Sequence, residues 1–156
     1  MRVLALTTAV AVLAAPAGSA TGLLGDWLTQ DKDAALTIAD CGGPLCGRII
    51  WLESAAGAGG SVRRDDNNPD RAKQGQRICG LVVIHNLRPT GPDTWGGDVY
   101  NPQDGKTYRG TITVLSENAI RLRAYIGLPI FGRSETWTRV PGSVADDIKY
   151  TCGIVR

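Results

Sequence analysis

From Gly25 onward, apolar and polar side chains alternate with period two in one short run after another. Such alternation sends successive side chains to opposite faces of a strand, so each run predicts a strand with one buried face. Gly25–Thr29 carries Trp27 on one face, and Leu36 and Ile38 alternate with Thr37 and Ala39. Arg48–Leu52 and Leu81–Leu87 are more uniformly apolar. Trp95, Gly97 and Val99 alternate with Gly96, Asp98 and Tyr100. The same rhythm returns in Tyr108–Val114, Ile120–Tyr125 and Glu135–Arg139, which makes eight predicted strands.

The connections read as tight turns. Gln30–Asp33, Asn101–Lys106 and Ser116–Asn118 hold turn-forming residues, and Asp104-Gly105 is a hairpin signal because glycine accepts positive φ. Eight strands joined by hairpins predict an all-β, up-and-down antiparallel meander. Closing it into a barrel removes both sheet edges. At that size the interior is either filled by side chains or holds one small ligand. A two-sheet sandwich is the competing architecture, but it wants crossover connections, and only Glu53–Gly80, between strands 3 and 4, is long enough. A loop of that length is usually functional or disordered. Pro69 predicts a short helical turn over Asp70–Gln74.

Composition narrows the function classes. The chain has 156 residues, with 17 basic and 15 acidic side chains. Residues 1–20 combine a basic start, an apolar run over Val3–Ala15 and small residues up to Ala20, the pattern of a secretory signal. The apolar run is short for a bilayer span. The expected organisation is a signal peptide over 1–20, a barrel domain over 21–140 and a tail over 141–156. Loss of the signal takes Arg2 with it and leaves 16 basic against 15 acidic side chains. That balance argues against a nucleic-acid partner. No stable membrane insertion is expected of the mature chain, which is placed in a periplasm or outside the cell.

An oxidising compartment suits an even count of four cysteines, which allow three pairings. The turn Gly42-Gly43-Pro44-Leu45 favours Cys41–Cys46. Cys79–Cys152 would then pin the tail to the body, with a buried thiol at Cys79 as the alternative. The spacings fit no usual zinc motif, so neither a metal nor another cofactor is expected.

Gly25-Asp26-Trp27 opens the first strand and Trp137-Thr138-Arg139 closes the last. In a closed barrel these strands are neighbours, and the Arg139 guanidinium can lie over the Trp27 ring, a contact of about 0.5–2 kcal/mol. This arrangement resembles the seam of lipocalin-like (calycin) barrels. A wider resemblance runs through Cys41–Ile49, Asp66–Asp70, Arg77–Leu81, Val99–Pro102, Gly105–Tyr108, Tyr125–Gly127 and Phe131–Arg139. These segments resemble domain-of-unknown-function family 2147, secreted bacterial proteins, over about Gly22–Val140. The resemblance implies a small lipocalin-like barrel outside the cytoplasm and no particular reaction, substrate or cofactor. It does not reach Cys152, so it lends no support to the Cys79–Cys152 pairing.

Candidate ligand-facing residues are Trp51, Trp95, Tyr100, Tyr108, Arg77 and Asp66. The run Asp65–Asp70 is oxygen-rich but lacks the glycine and terminal acid of a calcium loop, so it reads as a capped turn with Asp66 near Arg77. Arg121 and Arg123 share a strand face, which is expected to point to solvent with Ile120 and Leu122 inside. The apolar turn Gly127–Gly132 reads as a hydrophobic plug for the barrel mouth, with a rim contact as the alternative. His85, the single histidine, has no nucleophile near it in sequence. The leading expectation is a carrier of a small, largely apolar ligand. The alternatives are a protein-interaction module, such as an inhibitor of a secreted protease, and an enzyme using Asp66, Arg77 and Tyr100. No catalytic residue is assigned.

Overall fold

A computed structural model of the chain describes residues 22–53, 62–141 and 152. The expected signal peptide therefore lies wholly outside the described residues, as does the tail apart from Pro141 and Cys152.

Eight antiparallel strands form a closed barrel in sequence order. They are β1 (Gly25–Leu28), β2 (Ala34–Asp40), β3 (Leu45–Leu52), β4 (Val82–Gly91), β5 (Thr94–Asn101), β6 (Lys106–Ser116), β7 (Ala119–Tyr125) and β8 (Arg133–Arg139). β1 and β8 close the ring with Trp27 opposite Arg139 and Leu28 opposite Thr138. The sandwich alternative is thereby excluded.

Two strands differ from the alternation in instructive ways. β4 runs past Leu87 to Gly91, through Pro89. Its pairing with β3 ends at Leu87, and only β5 continues alongside. Proline is tolerated there because one side of the strand no longer needs its N–H. In the β2–β3 pair the register shifts between Ala35, opposite Trp51, and Leu36, opposite Ile49. A bulge of this kind re-aims side chains.

The interior is one apolar cluster that includes Leu36, Ile38, Ile49, Ile84, Leu87, Ile112, Ile120 and Leu122, with Trp27, Trp95 and Trp137. Outward positions carry Arg48, His85, Arg109, Arg121 and Thr136, all exposed. Among the described residues no helix is long and apolar enough to cross a membrane.

One end of the barrel is sealed. Leu23 is fully buried beneath Trp27, whose indole N–H donates to the Leu23 carbonyl at 2.8 Å. The Arg139 guanidinium lies 3.9 Å from the Trp27 ring centroid. Its N–H groups donate to the carbonyls of Leu24, Gly22 and Glu117 at 2.5, 2.7 and 2.9 Å. One side chain thus ties the N-terminal segment and the β6–β7 turn to the last strand. Gly25 is required on two grounds: its φ is +115°, and a Cβ there would sit 2.6 Å from the Arg139 guanidinium. The Gly-x-Trp pattern is the sequence trace of this packing.

Both disulfides are formed. Cys41–Cys46 spans a Cα–Cα distance of 5.9 Å and Cys79–Cys152 one of 5.3 Å. The first brackets the β2–β3 turn, where the Asp40 carboxylate accepts the N–H groups of Gly42 and Gly43 at 2.7 and 2.9 Å. Those two N–H groups, Gly43 first, hold the Asp40 carboxyl below its ordinary range.

Candidate functional site

Antiparallel order puts the β1–β2, β3–β4, β5–β6 and β7–β8 connections at the end opposite the Trp27–Arg139 seal. That end is open to a cavity of about 910 Å³. Its deeper lining is apolar, with Leu36, Ile49, Ile84, Val99, Leu122 and Trp137. Its mouth is polar, with Asp31, Asp33, Arg63, Gln103 and Asp104 from the loops, Asn101 at the end of β5, and Arg133 and Glu135 at the start of β8.

The long β3–β4 connection folds over one side of this mouth around a single carboxylate, Asp65, which has no exposed surface. Burying a charge is costly unless hydrogen bonds replace its water. Asp65 receives three: the Tyr100 hydroxyl at 2.7 Å, the Asn68 amide at 2.7 Å and the Gln76 amide at 3.0 Å. Its backbone N–H donates to the Gln76 carbonyl at 2.9 Å. The expected helical turn at Asp70–Gln74 is instead a set of hydrogen-bonded turns wrapped round this hub, with the Lys73 N–H on the Asp70 carbonyl. The side-chain amides of Asn68 and Gln76 and the Gln74–Asn68 contact compete successfully with a helical ladder. Beyond the hub, Asn67 donates to the Gln103 carbonyl at 2.8 Å, which docks the segment on the β5–β6 loop. Gly105 permits that approach: a Cβ there would fall 2.0 Å from the Asn67 carbonyl oxygen.

Tyr100 carries the strongest electrostatic mark. Burial, then the hydrogen bond and charge of Asp65, push its phenol up to about 12. A phenol raised above its unfolded value of 10.0 contributes its full stability below pH 10 and loses it as pH rises from 10 to about 12. Alkaline titration of the tyrosinate absorbance is therefore expected to show a late component near pH 12 that Tyr100→Phe lacks. A wild-type profile identical to that of the variant would contradict the coupling. Tyr108 is also raised, chiefly because its hydroxyl donates to Asp104. In Asp104 itself burial works against ionisation, but the Tyr108 hydroxyl, the Lys106 N–H and the Lys106 charge outweigh it and hold the carboxyl low.

The six residues singled out from the sequence separate. Tyr100 and Tyr108 line the cavity. Trp95 is fully buried in the core and lies outside the lining. Trp51 packs with Leu28, Ala35, Ile50 and Val140 in a second, smaller cluster, on the far side of the β2–β3 bulge from the cavity residue Ile49. Asp66 and Arg77 are exposed and outside the lining. They are not an ion pair, since the salt bridges among the described residues are Asp70–Lys73 and Asp98–Arg109. The carboxylate that matters is the neighbour, Asp65. Arg121 is exposed, as the alternation predicts, and Leu122 faces the cavity. Gly127–Gly132 does not plug the mouth: Leu128, Ile130 and Phe131 are well exposed, and Phe131 borders the cavity at its rim. Among the described residues no group of three or more His, Cys, Asp or Glu side chains is placed to hold a metal ion.

Residues 25–139 match the family described as an uncharacterized protein conserved in bacteria, domain-of-unknown-function family 2147. The chain belongs to this family. The match begins at Gly25 and ends at Arg139, the two residues in contact at the barrel seal. A solved relative by fold is protein HP1028 from the human pathogen Helicobacter pylori, described as belonging to the lipocalin family. It superposes with a TM-score of 0.69 at 22% identity, over 81% of this chain and 88% of that one. At that identity the likeness is one of fold, and the family member described here is a lipocalin-like barrel. No curated protein matches the chain. Two disulfides and a bacterial family are consistent with a place outside the cytoplasm.

Proposed function

We propose that the protein binds and carries a small, largely apolar ligand inside the barrel, in the periplasm or outside the cell. The observation that carries this reading is the cavity of about 910 Å³ with an apolar floor and a polar mouth. Small-molecule sites are typically concave, apolar volumes of about 300–1,000 Å³ with a few polar groups that set orientation. The ligand enters apolar end first, against Leu36, Ile84 and Leu122, and leaves any polar group near Tyr100, Tyr108 and the mouth loops. The site offers shape and desolvation rather than reactivity. Tyr100 stays protonated while it serves Asp65, and Asp65 has its hydrogen bonds already committed.

Saturable fluorescence enhancement of an apolar naphthylamine probe is the expected signature, with displacement by long-chain amphiphiles. Val99→Trp, which fills the cavity from its wall, is expected to weaken the probe by about tenfold or more. Native mass spectrometry of protein purified from its own envelope fraction checks the same reading without a probe. A barrel that binds no probe and carries no co-purifying mass overturns it.

A further inference from the structure

The β7–β8 connection presents Ile126, Leu128, Ile130 and Phe131 to solvent at 58, 61, 75 and 74% exposure. Isolated apolar side chains on a surface are ordinary, but a contiguous group of large ones marks a contact site. This group is also held in shape. Pro129–Phe131 forms a 3-10 turn, with the Phe131 N–H on the Leu128 carbonyl and the Gly132 N–H on the Pro129 carbonyl. The Arg123 guanidinium donates to the Pro129 carbonyl from two nitrogens and to the Ser134 hydroxyl from a third at 2.9 Å. Gly132 lets the turn lie close on β7: a Cβ there would come 2.7 Å from the Ala124 carbonyl oxygen. The apolar tip is therefore built to stand out from the barrel.

Its chemistry selects the occupant. No acidic residue lies between Tyr125 and Ser134, and Arg123 and Arg133 flank the turn at its base. Of the acids of the mouth, Asp31, Asp33 and Asp104 belong to other loops, and Glu135, on β8, accepts the Trp137 indole N–H at 2.9 Å. An apolar tip over basic flanks suits a lipid surface, where the tip enters the acyl region and the guanidiniums meet anionic headgroups. A stable protein interface wants about 20–30 residues a side, far more than these four side chains. Ile126 and Phe131 also border the cavity, so the tip and the mouth are continuous.

We propose that the β7–β8 tip inserts into the surface of an anionic phospholipid bilayer and holds the barrel mouth against it. The proposal does not depend on what the cavity binds. The test is flotation of the full, disulfide-intact protein with vesicles of phosphatidylethanolamine and phosphatidylglycerol. Wild type is expected to float with the vesicles. Ile130→Ser and Phe131→Ser are each expected to weaken partitioning by about tenfold, since each removes a large apolar side chain from the contact. Leu115→Ser, at an exposed apolar position on β6 away from the tip, is expected to partition as wild type. Circular dichroism checks that the variants keep the barrel. Wild type that stays with the aqueous phase overturns the proposal, as do tip variants that float like wild type. A protein complex lost in the tip variants, without vesicle binding by wild type, assigns the tip to a protein partner and overturns it too.

Discussion

Trp27→Ala is expected to lower the unfolding free energy by about 3–5 kcal/mol, the range for emptying a fully buried aromatic site. Domains of this size have about 5–15 kcal/mol in total, so the variant should lose much of its margin. Three contributions converge on the residue. Its side chain has no exposed surface, its indole N–H satisfies the Leu23 carbonyl, and its ring carries the Arg139 guanidinium. Removing it also leaves Arg139 holding carbonyls of a segment that has lost its floor. Urea unfolding of the oxidised protein measures the loss. A change below about 1 kcal/mol would mean that the seal does not hold the barrel shut.

Replacing both Cys79 and Cys152 by serine is expected to cost about 4 kcal/mol, against about 2 kcal/mol for opening Cys41–Cys46 by the same substitutions. The difference follows from chain entropy in the unfolded state. The first bond closes a sequence separation of 73 residues and the second one of 5. The short turn is also held without its bond, because Asp40 caps Gly42 and Gly43 and the Cys41 N–H reaches the Pro44 carbonyl. Chemical unfolding of the two double-serine variants checks the order. Equal losses, or the reverse order, would contradict it.

The eight strands, the seam and the long connection were legible because each depends on local rules. Alternation reports which residues share a strand face, and Gly25, Trp27 and Arg139 record a close contact in their types. The cavity lining was less legible because alternation says nothing about depth or register. Trp95 alternates correctly and is interior, yet it lies outside the cavity lining. Trp51 is separated from the lining by a register shift that no pattern in the strand announces. Nothing in the sequence separates Asp65 from Asp66, because an irregular loop has no period. One residue's difference then decides between a carboxylate with three hydrogen bonds and one in solvent. Tyr100, the partner that identifies Asp65, lies 35 positions away in the chain. The exposed tip reads as a plug in the sequence because apolar composition alone does not tell inward from outward. Arg123, on the strand before it, holds the turn through the Pro129 carbonyl and the Ser134 hydroxyl.

With an even number of strands that reverse direction at every step, each rim of the ring collects alternate connections. The lock that keeps the ring shut sits on one rim, and the cavity mouth and the exposed apolar turn sit on the other. Drift in those outer connections can therefore reshape the mouth while the lock stays untouched. The same division makes the chain a scaffold on which mouth segments can be exchanged one at a time.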